Sequence, residues 1–328
     1  MPMGGELLPL PSMRPAVRSI VLVALLSVAA AARALDAFGD GLSPEREQAL
    51  LQRFAPVVLL APGERAEPAN VNWYLARATL EQEQNQDPEP AARRSGRKLL
   101  ATTLTQASLL GDWLAILRKS EGSAAVLRPS LDTRPGSDDP RDWVAYGHAY
   151  PAQDGGTLLQ YWFFYPFNDG HLFFDHEADW EHVTVRLDRA ERPLGAYFAR
   201  HRDIAPGRWY PWDRLARELE HPVVLSARGT HASYPSAGEV PWFDATCKTR
   251  DPAQAEAHGC RVWRTADGAG AGGVLDTGQR FRPRPEATFL SWPGRWGARG
   301  PMGLESNGSP LGPAFQKSWC SLAGPGCN

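Results

Sequence analysis

The stretch that decides the fold is Gln160 to Leu187, QYWFFYPFNDGHLFFDHEADWEHVTVRL. Two runs rich in aromatic and β-branched residues flank Asn168-Asp169-Gly170, a turn signal, so the segment predicts two antiparallel strands folded back on each other. Side chains alternate faces along a strand, which puts Asp179, Glu181, Val183, Val185 and Leu187 on one side and Trp180, His182, Thr184 and Arg186 on the other. The first set holds the valines of the core. Two carboxylates therefore point where an unpaired charge costs several kcal/mol unless it is protonated, ion-paired or metal-bound. Arg200 and Arg228 are the arginines placed to pair with them, and a cation is the alternative.

Next to these acids the hairpin gathers further donors. His176 stands three residues before Asp179 on the entering turn, and the fold-back brings Asp169 beside it. Three carboxylates and one imidazole make an oxygen-rich set suited to one divalent cation, Mg²⁺, Ca²⁺ or Mn²⁺, with Zn²⁺ left open by the imidazole. His231, in Gly229-Thr230-His231-Ala232-Ser233-Tyr234-Pro235, follows a strand and is the fifth candidate ligand. His171 and His182 read as surface or satisfied polar residues. His176-Glu177-Ala178-Asp179-Trp180 begins like H-E-x-x-H but ends in Trp and lies in β sequence, which excludes a zincin, and the chain has no G-x-S-x-G.

Outward from this hairpin, Trp143–Tyr150, Thr157–Tyr165, Trp180–Leu187, Leu194–Arg200 and Pro222–Ala227 read as closely spaced strands, and Pro56–Leu60 as an earlier one. Ser43-Pro44 before Glu45 and Glu47 opens a helix running to about Phe54. Val71–Glu83 and Thr105–Lys119 have helix-forming composition, and Pro211–Glu220 reads as a short helix with Trp212, Leu215 and Leu219 on one side. Asp87–Arg97, Arg128–Arg141 and the glycine-rich Asp267–Gly278 read as loops. With 31 Gly, 29 Pro and 12 Trp in 328 residues, turns and short strands dominate over helical bundling. The expected fold is mainly β, an antiparallel β-sandwich with peripheral α-helices. Thirty-five basic residues against 37 acidic ones leave a charge of −2, with no basic field for nucleic acid.

Arg14 and Arg18 precede the apolar run Ser19–Ala32, and Ala32-Arg33-Ala34 is a small-x-small cleavage signal, so residues 1–34 read as a secretory signal peptide. The run is shorter than the roughly 20 residues that span a bilayer, which makes a retained anchor the weaker alternative. Residues 35–328 are expected to form a single sandwich domain with an N-terminal helical elaboration, in a secreted or periplasmic location. Cys247, Cys260, Cys320 and Cys327 favour two disulfides in that compartment; of the three pairings, the most local joins Cys247 to Cys260 and Cys320 to Cys327. None of the spacings suits structural zinc.

Six motifs, Phe54-Ala-Pro-Val-Val-Leu-Leu-Ala-Pro-Gly-Glu, Asn72-Trp-Tyr-Leu, Gln160-Tyr-Trp-Phe-Phe-Tyr-Pro-Phe-Asn-Asp, His176-Glu-Ala-Asp-Trp-Glu-His-Val, Gly229-Thr-His-Ala-Ser-Tyr-Pro and Trp292-Pro-Gly-Arg-Trp-Gly, occur in order. Over about residues 54–319 the chain resembles the vacuolar protein sorting-associated protein sixty-two family, whose name implies little about biochemistry. The H-x-x-D-W-E core from His176 to Glu181 also resembles part of the heptapeptide of necrosis-inducing secreted cytolysins. That resemblance implies a jelly-roll, cytolysin-like sandwich with a divalent cation held by Asp169, His176, Asp179 and Glu181. Glu177, Ala178 and Asp175 depart from the pattern. Together these readings point to recognition of a glycan or lipid head group at a cell or membrane surface, with peripheral membrane contact and no protein partner. Tyr165, Trp209 and Tyr234 are expected as an exposed aromatic rim. The alternatives are a metal-dependent hydrolase with His231 or Glu177 as general base, and a structural metal only.

Overall fold

Backbone hydrogen bonding between the two central runs sets the architecture. The computed structural model describes residues 42–83, 97–98, 104–105, 124–170, 174–201, 206–267, 273–279, 282–297 and 308–319. The chain contributes, in order, α1 (Pro44–Arg53), β1 (Val57–Leu60), α2 (Val71–Leu75), β2 (Ala78–Glu83), β3 (Arg97–Lys98), β4 (Ala124–Pro129), β5 (Ala145–Pro151), β6 (Thr157–Asn168) and β7 (His176–Leu187). There follow β8 (Pro193–Phe198), β9 (Arg208–Pro211), β10 (Arg217–Glu218), β11 (His221–Ser226), β12 (Ser233–Tyr234), α3 (Pro252–Ala255), β13 (Arg261–Arg264), β14 (Leu275–Asp276), β15 (Gly278–Gln279) and β16 (Arg282–Pro283).

β6 and β7 pair antiparallel from Thr157 opposite Leu187 to Asn168 opposite His176, as the turn signal requires. They form the middle of a six-stranded sheet ordered β14-β5-β6-β7-β8-β9, antiparallel except where β14 joins β5. A second sheet, β10-β11-β1-β13 with β12 on β11, is mixed, because β1 and β11 run parallel. β2, β3 and β4 make a third, antiparallel sheet, and β15 pairs with β16. The mainly β, antiparallel sandwich read from sequence is the fold observed.

Burial differs from the simple inside-outside reading. Trp162, Phe164 and Trp180, on one face of the large sheet, enter a core with Tyr74, Leu80, Leu127, Phe289, Trp292 and Trp296. On the other face Tyr161 donates to the Leu51 carbonyl of α1 at 3.1 Å, and Phe163 packs edge-on against Trp263 of β13. The large sheet is thus a central layer covered on both faces, and His182 and Thr184, on the face opposite the β7 valines, are buried as well.

Two helix readings give way to strand pairing. In Val71–Glu83 only the first turn is helical, capped by the Asn70 side chain, which accepts from the Trp73 N–H; the remainder becomes β2 on β4. Pro211–Glu220 holds a single 3₁₀ turn at Trp212–Arg214 before β10. Leu219 sits at φ 58° in the two-residue β10–β11 turn and is 88% exposed, so no apolar helix face exists there. The Thr105–Lys119 helix (beyond Thr105), the Asp87–Arg97 loop (up to Arg97), the Cys320–Cys327 bond and the signal peptide lie outside the described residues. By contacts the chain divides at Pro44 and Glu45, and residues 45–328 form one compact unit.

Cys247 and Cys260 are joined as expected, closing a 13-residue separation with both sulfurs buried. Replacing both by serine is expected to destabilise the chain by about 3 kcal/mol, mainly through the freer unfolded state. Denaturant titration of the variant, and of the parent with reductant, checks this; equal midpoints for variant and oxidised parent would contradict it.

Candidate functional site

Asp179 and Glu181 lie on the β7 face that meets the second sheet, opposite Tyr165 and Phe163 of β6. The ladder skips Pro166, which has no N–H to donate, and Ala178 across from it takes a left-handed φ of 58°. The Ala178 carbonyl accepts a hydrogen bond from His176 Nδ1 at 2.7 Å.

His231 arrives from a tight turn. Its N–H bonds the Ala227 carbonyl at 2.9 Å, and both Gly229 (φ 78°) and His231 (φ 55°) are left-handed. A side chain at Gly229 would meet the Asp169 carbonyl oxygen at 2.5 Å, so only glycine fits this approach. The imidazole is fully buried, stacked on Tyr165 with centroids 3.7 Å apart. Its Nδ1 lies 2.8 Å from Asp179 Oδ2 and its Nε2 3.1 Å from the Ala66 carbonyl, with Glu64 Oε1 at 3.8 Å.

Both ring nitrogens face acceptors, and a neutral imidazole has only one N–H, so the ring is an imidazolium. Burial opposes that charge, but the contacts with Asp179 and Glu64 outweigh it and push the His231 pKa up to about 10. Burial likewise opposes ionisation of Glu64; His231 and the backbone N–H groups of Ala66 and Gly229 hold its pKa down to about 2. Glu64, His231 and Asp179 form a buried ion triad. The acid on the core face is compensated by an imidazolium, where sequence offered an arginine or a metal.

Glu181 has no such partner. Burial and the negative charge of Asp179 raise its pKa well above the usual carboxylate range, against the pull of His231. It opens onto a cleft of about 490 Å³ also lined by Trp180, His182, Tyr197, Arg200, Phe315 and Lys317. Behind the cleft, Gln160 accepts from His148 Nε2 at 2.8 Å and Trp162 Nε1 at 2.9 Å, which fixes its amide, and its nitrogen reaches His182 Nδ1 at 3.5 Å. Burial keeps His148 and His182 neutral, with pKa values lowered to about 3. Nearby, the buried Asp244 carboxylate accepts from His201, Thr230 and Tyr234 at 2.8, 2.9 and 2.6 Å; these bonds hold its pKa below the usual value against burial.

With this geometry in view, the family model for vacuolar protein sorting-associated protein 62 matches residues 41–244. The chain belongs to that family. Among curated relatives, vacuolar protein sorting-associated protein 62 of Saccharomyces cerevisiae is 25% identical over 234 residues, 58% of this chain and 46% of the relative. The vacuolar protein sorting-associated protein TDA6 of the same yeast is 31% identical over 114 residues, 27% of this chain and 24% of that one. The chain thus spans less than half the length of these curated relatives.

Solved structures similar to it include Necrosis and Ethylene inducing Protein 2 from the causal agent of cocoa's Witches Broom disease (13% identity, 69% of this chain and 72% of that one, TM-score 0.30). NLPPya in complex with glucosamine is another, as is NLPPya in complex with mannosamine (each 13% identity, 74% of this chain, 79% of that one, TM-score 0.36).

The stretch matched by the family contains Glu64, Asp179, Glu181 and His231, while the cleft wall bearing Phe315 and Lys317 lies beyond it. Of the expected ligands, Asp169 is exposed and bonds Gly229 through its backbone N–H at 2.9 Å, and His176 is half-buried. His231, with both nitrogens engaged, has no lone pair to give as a ligand or as a general base. Among the described residues no three His, Cys, Asp or Glu side chains gather to hold one ion. As folded, the expected donor set does not fit a cation. Glu177, the other expected base, lies 3.8 Å from Arg128.

The aromatic rim also needs correction. Tyr165 and Tyr234 are fully buried, because the second sheet covers the β6 face and Arg200 packs over the Tyr234 ring; only Trp209 is exposed, beside Tyr197. Sequence reading missed Glu64, His182, Tyr197 and Lys317 as site residues. The Gly63-Glu64 turn before Gly229 in space carries no local mark of its acid's partner.

Proposed function

We propose that this chain is a recognition protein of a cell or membrane surface and that it holds a sugar or lipid head group in the cleft beside Glu181. The observation that carries the reading is the cleft itself. It brings a carboxyl group that has no ion-pair partner among the described residues together with the rings of Tyr197 and Phe315, in about 490 Å³. That volume suits a small polar ligand, with a few polar groups fixing orientation and ring faces covering the rest. The engagement of His231 argues for binding over hydrolysis, since the triad leaves no free base there. The export signal read in residues 1–34 and the Cys247–Cys260 bond support a location outside the cytoplasm.

The test is a panel of immobilised sugars and lipid head groups probed with the full chain and with Glu181→Gln. At least one ligand is expected to bind, and to lose about tenfold in affinity in the variant, roughly 1.4 kcal/mol. The melting temperature should hold or rise, because the variant removes a half-buried acid that has no counter-ion. Binding that is identical in parent and variant for every ligand would move the site elsewhere.

A further inference from the structure

We propose that the cleft takes a zwitterionic head group bearing an ammonium and a phosphate, the ammonium at Glu181 and the phosphate at Lys317. This deepens the head-group reading above and rests on it.

Glu181 and Lys317 line the same cavity, and among the described residues neither forms an ion pair with the other or with a third group. Elsewhere nearby, acids are matched: Asp179 by His231, Asp244 by three donors, Glu239 by Arg200 at 3.7 Å. A carboxyl held neutral by burial and an ammonium, both without a counter-charge across one small, partly dehydrated space, each gain from an opposite charge, and one ligand carrying both supplies both.

The neighbours of each charge fit this division. Tyr197 lines the cleft with Glu181, and its ring favours an ammonium through the negative potential over an aromatic face. On the anionic side His182 adds a donor. Its Nδ1 accepts from the Gln160 amide nitrogen, whose orientation is set by Trp162, so the ring hydrogen sits on Nε2. His182 is 4% exposed, lines the cleft and has no acceptor for that hydrogen among the described residues. With the Lys317 ammonium and the Tyr197 hydroxyl, three residues offer donors to a tetrahedral oxyanion, whereas a neutral sugar leaves the Lys317 ammonium without a counter-charge and Glu181 without a cation. Glu181, held toward its protonated form by burial, gives up its proton to bulk water as the ammonium docks.

Equilibrium binding of O-phosphoethanolamine, ethanolamine and inorganic phosphate to the full chain tests this, alongside flotation with phosphatidylglycerol vesicles with and without phosphatidylethanolamine. O-phosphoethanolamine is expected to bind at least tenfold tighter than either fragment. Glu181→Gln should remove that advantage and leave phosphate binding unchanged; Lys317→Ala, at an exposed position that does not threaten folding, should weaken both. Binding in the soluble arm identifies a free phosphoamine as sufficient, and binding confined to phosphatidylethanolamine vesicles identifies the lipid; both support the proposal. O-phosphoethanolamine bound no tighter than phosphate, with vesicles equal in both compositions, overturns it. If Glu181-dependent binding of a neutral sugar persists in that case, the head-group reading survives and the zwitterion alone falls.

Discussion

His231→Ala is expected to destabilise the protein by about 3–5 kcal/mol, the range for removing one partner of a buried ion pair. The loss has three parts that act together. Asp179 Oδ2 loses its donor at 2.8 Å, Glu64 loses the positive charge at 3.8 Å, and Tyr165 loses a ring stacked at 3.7 Å, leaving a cavity in a fully buried layer. Uncompensated charge dominates, because both carboxylates remain buried, with side chains 11% and 3% exposed. Its share can be separated from the cavity: adding Asp179→Asn and Glu64→Gln to His231→Ala should recover part of the loss, since neutral amides cost less to leave in place. Chemical denaturation at pH 6 measures all three. A His231→Ala loss below about 1 kcal/mol, or a triple variant weaker than the single one, would show that the triad does not hold the sheets together.

The second large effect is on pH. His231 takes up its proton more readily when folded, at about 10 against the ordinary 6.5, so its contribution is complete below 6.5 and is lost as the pH climbs from 6.5 through 10. Glu64 shifts the other way, to about 2 from 4.5, so its contribution is complete above 4.5 and is lost as the pH falls toward 2. His148 and His182, neutral in the fold with pKa values lowered to about 3, add a loss as the pH falls below 6.5, so stability should peak near pH 6.5 and decline on the alkaline side by up to about 1.4 kcal/mol for each pH unit that His231 alone controls. Melting curves across pH 3 to 10 test this, with His231→Ala expected to flatten the alkaline limb. A parent whose melting temperature is level between pH 6.5 and 10, or a variant with the same slope, would place the imidazolium in error.

Glu181 and Asp179 illustrate how sequence and structure divide the labour. Their place on the core face of β7 follows from alternation alone, and so does the demand for a compensating charge. Which charge answers is not a local property. The metal reading joined residues near in sequence, whereas the fold supplied His231, 52 positions from Asp179, and Glu64, on the turn after β1. β1 and β11 lie side by side in parallel register, and that pairing brings their following turns together.

The sequence by itself determined the β6–β7 hairpin, the strand succession after Trp143 and the place of two acids on the core face of β7, and it favoured the pairing of Cys247 with Cys260, because alternation, turn chemistry and spacing act over a few residues. Only the tertiary structure decided that the large sheet is covered on both faces, that Tyr165 and Tyr234 are interior, that an imidazolium neutralises Asp179, and that the segment carrying Lys317 closes a cleft over Glu181. Each of these depends on contacts between segments far apart in the chain, where burial and charge matching are settled by the packing of whole layers.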